Sequence, residues 1–276
     1  MLIKLGHSPD PDDAFMFYGL AKELIATGPY VFEHILQDIQ TLNDWAVEGR
    51  LEVTAISIHA YPYVQDKYAL LDSGSSMGER YGPVVVARRP MQPAELTKAT
   101  VAVPGKMTTA FLALSLMLGK DAFACKVMPF DAILGAVALG EADAGLIIHE
   151  GQLTFEQLGL VRVVDLGQWW YEQTQLPLPL GGNVIRRDLP EPALAEVPKL
   201  LNESIRYSLE HRAEAVEHAL QFARDMDATL ADQFVGMYVN EWTLSYGEVG
   251  RQAVRELLRR GHEEGITPAV GEIDFL

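Results

Sequence analysis

The stretch 41–58, TLNDWAVEGRLEVTAISI, decides the fold. It reads as a short amphipathic helix with Thr41 as cap and Asp44 three residues on, a turn at Gly49, and the strand EVTAISI over 52–58. The same order returns in 131–149, DAILGAVALGEADAGLIIH, where Gly140 lies over Gly49 and Asp143 over Glu52 as the acidic residue that opens a buried strand. Any two helix-to-strand connections favour Gly just past the helix end. The echo alone therefore leaves two readings open, a shared turn chemistry and a pair of similar lobes.

Working outward, LIKLG (2–6) reads as a strand, 12–25 as a helix opened by Asp12 and Asp13, and VFEHILQD (31–38) as a strand. After a loop carrying Gly74, Ser75, Ser76 and Gly78, PVVVARR (83–89) is a β-branched strand. TVAVPG (100–105), a helix over 108–119 and ACKVMPF (124–130) continue the alternation, which predicts an α/β protein. From Leu194 onward four segments show apolar residues at helical spacing, including 213–226. In LPLPLGGNVIRRDLP (176–190), Pro177, Pro179 and Pro190 surround Gly181 and Gly182, which suggests a stiff return crossing between lobes. With PVVVARRP as the outward crossing, the expected organisation is a first lobe of 1–88 and 183–276, a second lobe of 89–182 inserted in it, and a ligand cleft between them. The C-terminal helices should pack on the first lobe.

A length of 276 residues is compatible with this, at about 150 residues per domain. With 49% apolar and 22% charged residues the chain can bury a full core. Twenty-two Lys and Arg against 38 Asp and Glu give a net charge of −16, which disfavours nucleic acid and anionic membranes as partners. A small anionic organic substrate held by local donors remains compatible, as does a homodimer. Cys125 is the one cysteine, so no internal disulfide forms, and no metal-ligand spacing accompanies it. The N-terminus MLIKLGHSPDPDD has no apolar leader, and a cytoplasmic protein is expected.

Ligands of open α/β sheets sit beyond the carboxyl ends of strands, near helix N-termini. Polar residues fall there in the turn His7–Asp13, which holds Ser8, and at Ser57, which ends EVTAISI with His59 just beyond. The turn Gly105-Lys106-Met107-Thr108-Thr109 offers two hydroxyls and a cation beside a helix start, more than a simple cap needs, and it is no Walker loop. His149 closes the apolar strand DAGLIIH, where it would face Ser57 across the cleft if both lobes share a topology. Imidazole as a chemical group suits general base chemistry. His34, His211, His218 and His262 fall within strand or helix patterns without a converging polar set.

Six blocks in register, HSPDPDDAFMFYGL, TLNDWAVEGRLEVTAISIHAY, GPVVVARRP, VAVPGKMTTAFLALSL, EADAGLIIHEGQLTF and VVDLGQWWYEQTQLPLPLG, resemble the 1,4-dihydroxy-6-naphthoate synthases of the futalosine route to menaquinone, from about residue 3 to 190. The resemblance implies the two-lobe type II periplasmic-binding-protein fold, with lobes joined by two crossing strands. It implies a lyase that converts cyclic dehypoxanthine futalosine to 1,4-dihydroxy-6-naphthoate, with no cofactor and no metal. On that pattern His149 is the base, Ser57, Thr108 and Thr109 contact ligand, and Asn43 is a further cleft residue; Lys106 and Ser8 join the candidate substrate-binding residues from their places in the two turns. The first loop departs from the family pattern Ser-Pro-Cys-Pro-Asn-Asp, since Asp10 and Asp12 stand where Cys and Asn are usual. A carboxylate at Asp12 should remove a donor and repel an anionic substrate. Chorismate dehydratase of the same pathway, and a non-catalytic solute-binding or sensor protein of the same fold, are the alternatives.

Overall fold

The computed structural model describes residues 1–223 and 227–276. Its strands are β1 (Leu2–His7), β2 (Val31–Leu36), β3 (Val53–Ser57), β4 (Tyr68–Leu70), β5 (Ser76–Gly78), β6 (Val84–Ala87), β7 (Thr100–Val103), β8 (Ala124–Val127), β9 (Ala144–Ile147), β10 (Val161–Asp165) and β11 (Leu178–Arg186). They form two sheets, ordered β2-β1-β3-β11-β4 with β5 also on β11, and β10-β6-β9-β7-β8. Each sheet has a parallel trio in which the first strand lies between the second and the third, and the third then pairs with an antiparallel strand. The echo between 41–58 and 131–149 is thus a shared topology, with β3 and β9 in equivalent, fully buried places. Gly49 and Gly140 end the preceding helices at φ of 77° and 81°, a left-handed conformation that costs glycine little.

Both crossings differ from the sequence reading. β6 pairs with β9 and β10, so residues 84–87, expected at the end of the first lobe, belong to the second sheet. Four consecutive buried residues, Val84–Ala87, can satisfy both faces only inside a sheet covered on both sides. Residues 178–186 are more than a crossing: β11 pairs with β3, β4 and β5 in the middle of the first sheet. Pro179, which has no N–H to give, is accommodated where the register with β5 shifts.

Local chemistry moved some boundaries. The helix expected from Thr41 begins at Ile39, because Asp38 is its cap and accepts the Thr41 N–H at 3.1 Å. The helix expected over 12–25 is two short ones, Pro11–Met16 and Tyr18–Ala21, broken at Phe17. Three C-terminal helices, Glu191–Glu210, Arg212–Ala219 and Ala228–Tyr238, cover the first sheet: Val197, Ile205, Ala215 and Val235 share one buried cluster with Ile3, Leu5 and Phe15. The expected helix over 213–226 ends at Ala219, and residues 224–226 lie outside the described residues. The last helix, Gly247–Glu263, departs from the expectation. Val254 and Leu257 belong to one buried cluster that includes Ile56 and Leu146 of the two sheets, and the helix contacts both β11 and the second-lobe helix Thr109–Leu118, so it ties the lobes together.

β11 must also lie close to that helix. A Cβ at Gly182 would sit 2.4 Å from the Tyr246 hydroxyl, which is buried and has no hydrogen-bond partner among the described residues. Gly182→Ala is therefore expected to destabilise the fold by about 1 to 3 kcal/mol through overpacking. Tyr246→Phe should restore most of that loss, because it removes the colliding atom and no bond. Thermal melts of the single and double variants check this, and equal losses with and without Tyr246→Phe would contradict it.

Candidate active site

The carboxyl ends of β1, β3, β7 and β9 open onto one cleft between the sheets. Ser8, Asp10, Asp12 and Asp13 line it from the turn after β1, Ser57 from the end of β3, and Thr108 and Thr109 from the turn after β7. Gly181 and Gly182 of β11 and Tyr238 of the C-terminal helices complete the wall. Of the residues expected to bind substrate, Ser8, Ser57, Thr108 and Thr109 are brought together here, and Asn43 and Lys106 are not on the wall. Lys106 is exposed, so its cation faces solvent.

Asn43 acts from behind. It is fully buried, its side-chain oxygen accepts the Ser57 N–H at 2.8 Å, and its amide donates to Ser57 Oγ at 3.0 Å and to the Met107 carbonyl at 3.3 Å. Gln40, one turn earlier, accepts the Met107 N–H at 2.9 Å. The helix Ile39–Glu48 thereby holds a first-lobe strand end and a second-lobe turn in one geometry. Asn43→Ala should orphan the Ser57 N–H and the Met107 carbonyl, destabilising by about 2 to 4 kcal/mol and weakening ligand binding. Urea denaturation with a parallel ligand titration measures both effects, and an unchanged midpoint would exclude this role.

The two threonines are fasteners as much as ligands. Thr108 Oγ1 donates to Gly105 O at 2.9 Å and caps the Phe111 N–H, while Thr109 Oγ1 donates to Leu180 O at 2.6 Å and accepts the His59 N–H at 3.1 Å. His59 adds a bond to Thr108 O at 3.1 Å. With both hydroxyl protons committed, what this wall offers an anion is the first-turn N–H groups of Thr109 and Ala110, which a helix leaves unbonded. Ser57 differs: its Oγ accepts from Asn43, and no described residue takes its proton.

His149 is buried but absent from the wall, where its neighbour Ile148 stands. Its Nδ1 accepts the Gly151 N–H at 3.0 Å and its Nε2 donates to Phe130 O at 3.2 Å, so both ring nitrogens are engaged inside the second lobe.

A family model described as menaquinone biosynthesis matches residues 3–263. The chain belongs to that family. It is 42% identical over 264 residues to the 1,4-dihydroxy-6-naphthoate synthase of Thermus thermophilus, covering 96% of this chain and 95% of that one. To the protein of that name from Streptomyces coelicolor it is 37% identical over 273 residues, covering 98% and 96%. A solved structure from Archaeoglobus fulgidus superposes with a TM-score of 0.92 at 44% identity, covering 96% of this chain and 98% of that one. An alkanesulfonate-binding protein from Xanthomonas axonopodis has a TM-score of 0.69 at 11% identity over 97% of this chain and 94% of its own, a likeness of fold alone that makes this the two-lobe binding-protein architecture.

In this menaquinone-biosynthesis protein the acidic turn works differently from the expected repulsion. The Ser8 N–H donates to Asp13 at 2.6 Å and the Ser8 hydroxyl to Asp10 at 2.5 Å. Burial and the neighbouring Asp13 and Asp10 push Asp12 well above the usual carboxylate range, and burial pushes Asp13 up to about 7. Both shifts favour the protonated carboxyl, the direction that softens the expected repulsion of an anion.

Tyr238 and the meeting of His7 with His34 were missed by sequence reasoning. Tyr238 is buried, lines the cleft and donates to Gln152 of the second lobe at 2.8 Å. Its one signal was a polar ring at the end of an otherwise apolar helical stripe. His34, expected to stand apart, meets His7 at 3.0 Å, with His218 close enough to bias both.

Proposed function

We infer that this chain is a carbon–carbon lyase that converts cyclic dehypoxanthine futalosine to 1,4-dihydroxy-6-naphthoate in menaquinone biosynthesis. The observation that carries this reading is identity of 42% and 37% over nearly the full length to two proteins named 1,4-dihydroxy-6-naphthoate synthase. Both carry that name, which does not favour chorismate dehydratase.

The cleft supports a division of labour. The Ser57 hydroxyl, the N–H groups that open the helix Thr109–Leu118 and the protonated acidic turn receive oxygen acceptors of a small anionic substrate. His149 removes the proton that starts fragmentation, and the substrate atom that loses it keeps the bonding pair, so no oxidant or cofactor enters the step. Closure of the lobes keeps water from the fragmenting intermediate. The net charge of −16 supports a reading without nucleic acid or anionic membrane as partner, and among the described residues no helix is long and apolar enough to cross a membrane. A cytoplasmic location completes the reading.

Incubating the purified protein with cyclic dehypoxanthine futalosine and following the naphthoate by mass spectrometry tests it. Calorimetry in the same buffer separates the remaining alternative. Tight binding without product would identify a binding protein, a role that the fold alone permits.

A further inference from the structure

His149 rests in a tautomer unsuited to the role just assigned. A ring nitrogen facing a carbonyl must carry hydrogen and one facing an N–H must not, so Nε2 is protonated toward Phe130 O and Nδ1 offers its lone pair to the Gly151 N–H. The Nδ1 lone pair is thus turned into the second lobe, and the Nε2 edge has no lone pair to give. At 3.6 Å from Nδ1, just beyond hydrogen-bond reach, lies Oε2 of Glu150, whose side chain is buried beside the imidazole. No other carboxylate pairs with His149 among the described residues.

We propose that Glu150 is the positioning residue of this site, accepting Nδ1–H and so freeing the Nε2 lone pair of His149 to take the substrate proton. The proposal rests on His149 being the base. In the working arrangement the ring proton leaves Nε2 and one is bound at Nδ1, where it is shared with Glu150. The Gly151 N–H and the Phe130 carbonyl then lose their partners on the ring. The proton taken from the substrate forms a new N–H bond at Nε2, the electron pair stays on the substrate, and nothing is oxidised or reduced. The imidazolium so formed is stabilised by the adjacent carboxylate, as a third group orients and supports the base in hydrolytic triads. Phe130 packs edge-on to the imidazole at 5.4 Å and limits its freedom to shift, so the exchange of partners goes with small displacements of the ring.

Glu150→Gln discriminates sharply, because an amide donates to Nδ1 and freezes the resting tautomer. Turnover of cyclic dehypoxanthine futalosine should fall by about 10²-fold or more, with KM changed by less than about threefold. In 15N spectra of histidine-labelled wild-type protein, His149 should be Nε2-protonated when free and Nδ1-protonated with naphthoate product bound, a change that Glu150→Gln should abolish. Wild-type turnover in Glu150→Gln, alongside an inactive His149→Ala, would overturn the proposal and leave the base intact. Active His149→Ala would instead remove the reading on which it rests. Should Glu150→Gln fail to fold, the wild-type spectra decide: an Nε2–H tautomer that persists with product bound overturns it.

Discussion

His149→Ala is expected to lower turnover by about 10² to 10⁴ while leaving ligand affinity within a few-fold of wild type. The two effects separate because the groups that hold the ligand's oxygens are others: Ser57, the helix start at Thr109 and the acidic turn line the cleft, and His149 does not. Truncation also strips Gly151 N–H and Phe130 O of their ring partners, a structural cost of about 1 to 3 kcal/mol. The variant should therefore melt earlier yet remain folded at 25 °C. Single-turnover rates with excess enzyme, set beside calorimetric affinities, measure the two terms independently. Near wild-type turnover would remove His149 from the chemistry. A parallel collapse of affinity and rate would instead mean that the turn Glu150–Leu153 had lost its shape, since His149 caps it through the Gly151 N–H.

What was legible in the sequence was periodic or local. Gly49 and Gly140 each stop a helix before a buried strand, and that local necessity revealed the repeated topology of the two sheets. Ser57 and the threonines after β7 were legible because strand ends and helix starts face clefts in this architecture. The failures share a different cause. Asn43, expected as a cleft residue, instead acts from behind the wall, because the fold carries a second-lobe carbonyl to within 3.3 Å of its amide. The hydroxyl of Thr109 looked free because Leu180 O, which takes its proton, is supplied by the tertiary fold, whereas Thr108 donates to Gly105 O within its own turn. Tyr238 reaches the cleft from a helix far along the chain, and His7, His34 and His218 converge from three separate elements. β11 was read as a crossing because its prolines and glycines obscure a strand pattern that pairing with β3, β4 and β5 nevertheless enforces. Long-range partners decide which polar groups are spent and which remain available, and no window of sequence contains them.

The same buried groups set an unusual acid response. Burial lowers His7 to about 3, with His34 as a further cause, and burial lowers His34 and His59 to about 4 each. Between about pH 6 and pH 4 the unfolded chain, whose histidines titrate near 6.5, binds roughly three protons that the folded protein refuses. Stability must fall on acidification wherever the unfolded state binds more protons, by about 1.4 kcal/mol per pH unit for each. Asp12 and Asp13 act in the opposite sense, because their folded values lie above the ordinary range. Over that window the folded protein holds two protons that unfolded aspartates give up, which adds stability as pH falls. The difference is about one proton, so the wild type should lose about 1 to 2 kcal/mol per pH unit from pH 6 to pH 4. Asp12→Asn removes one of the two opposing groups, and its loss per pH unit should approach twice that of the wild type. At pH 8 the same variant should be the more stable of the two, since an ionised carboxylate in that turn costs desolvation that an amide escapes. Urea midpoints at pH 8, 6, 5 and 4, in about 0.2 M salt to screen the long-range repulsion of so acidic a chain, measure both slopes. A wild type that gains stability from pH 6 to pH 4 would mean that the histidines accept protons in place, and the neutral His7–His34 pair would then be the wrong description of the folded state.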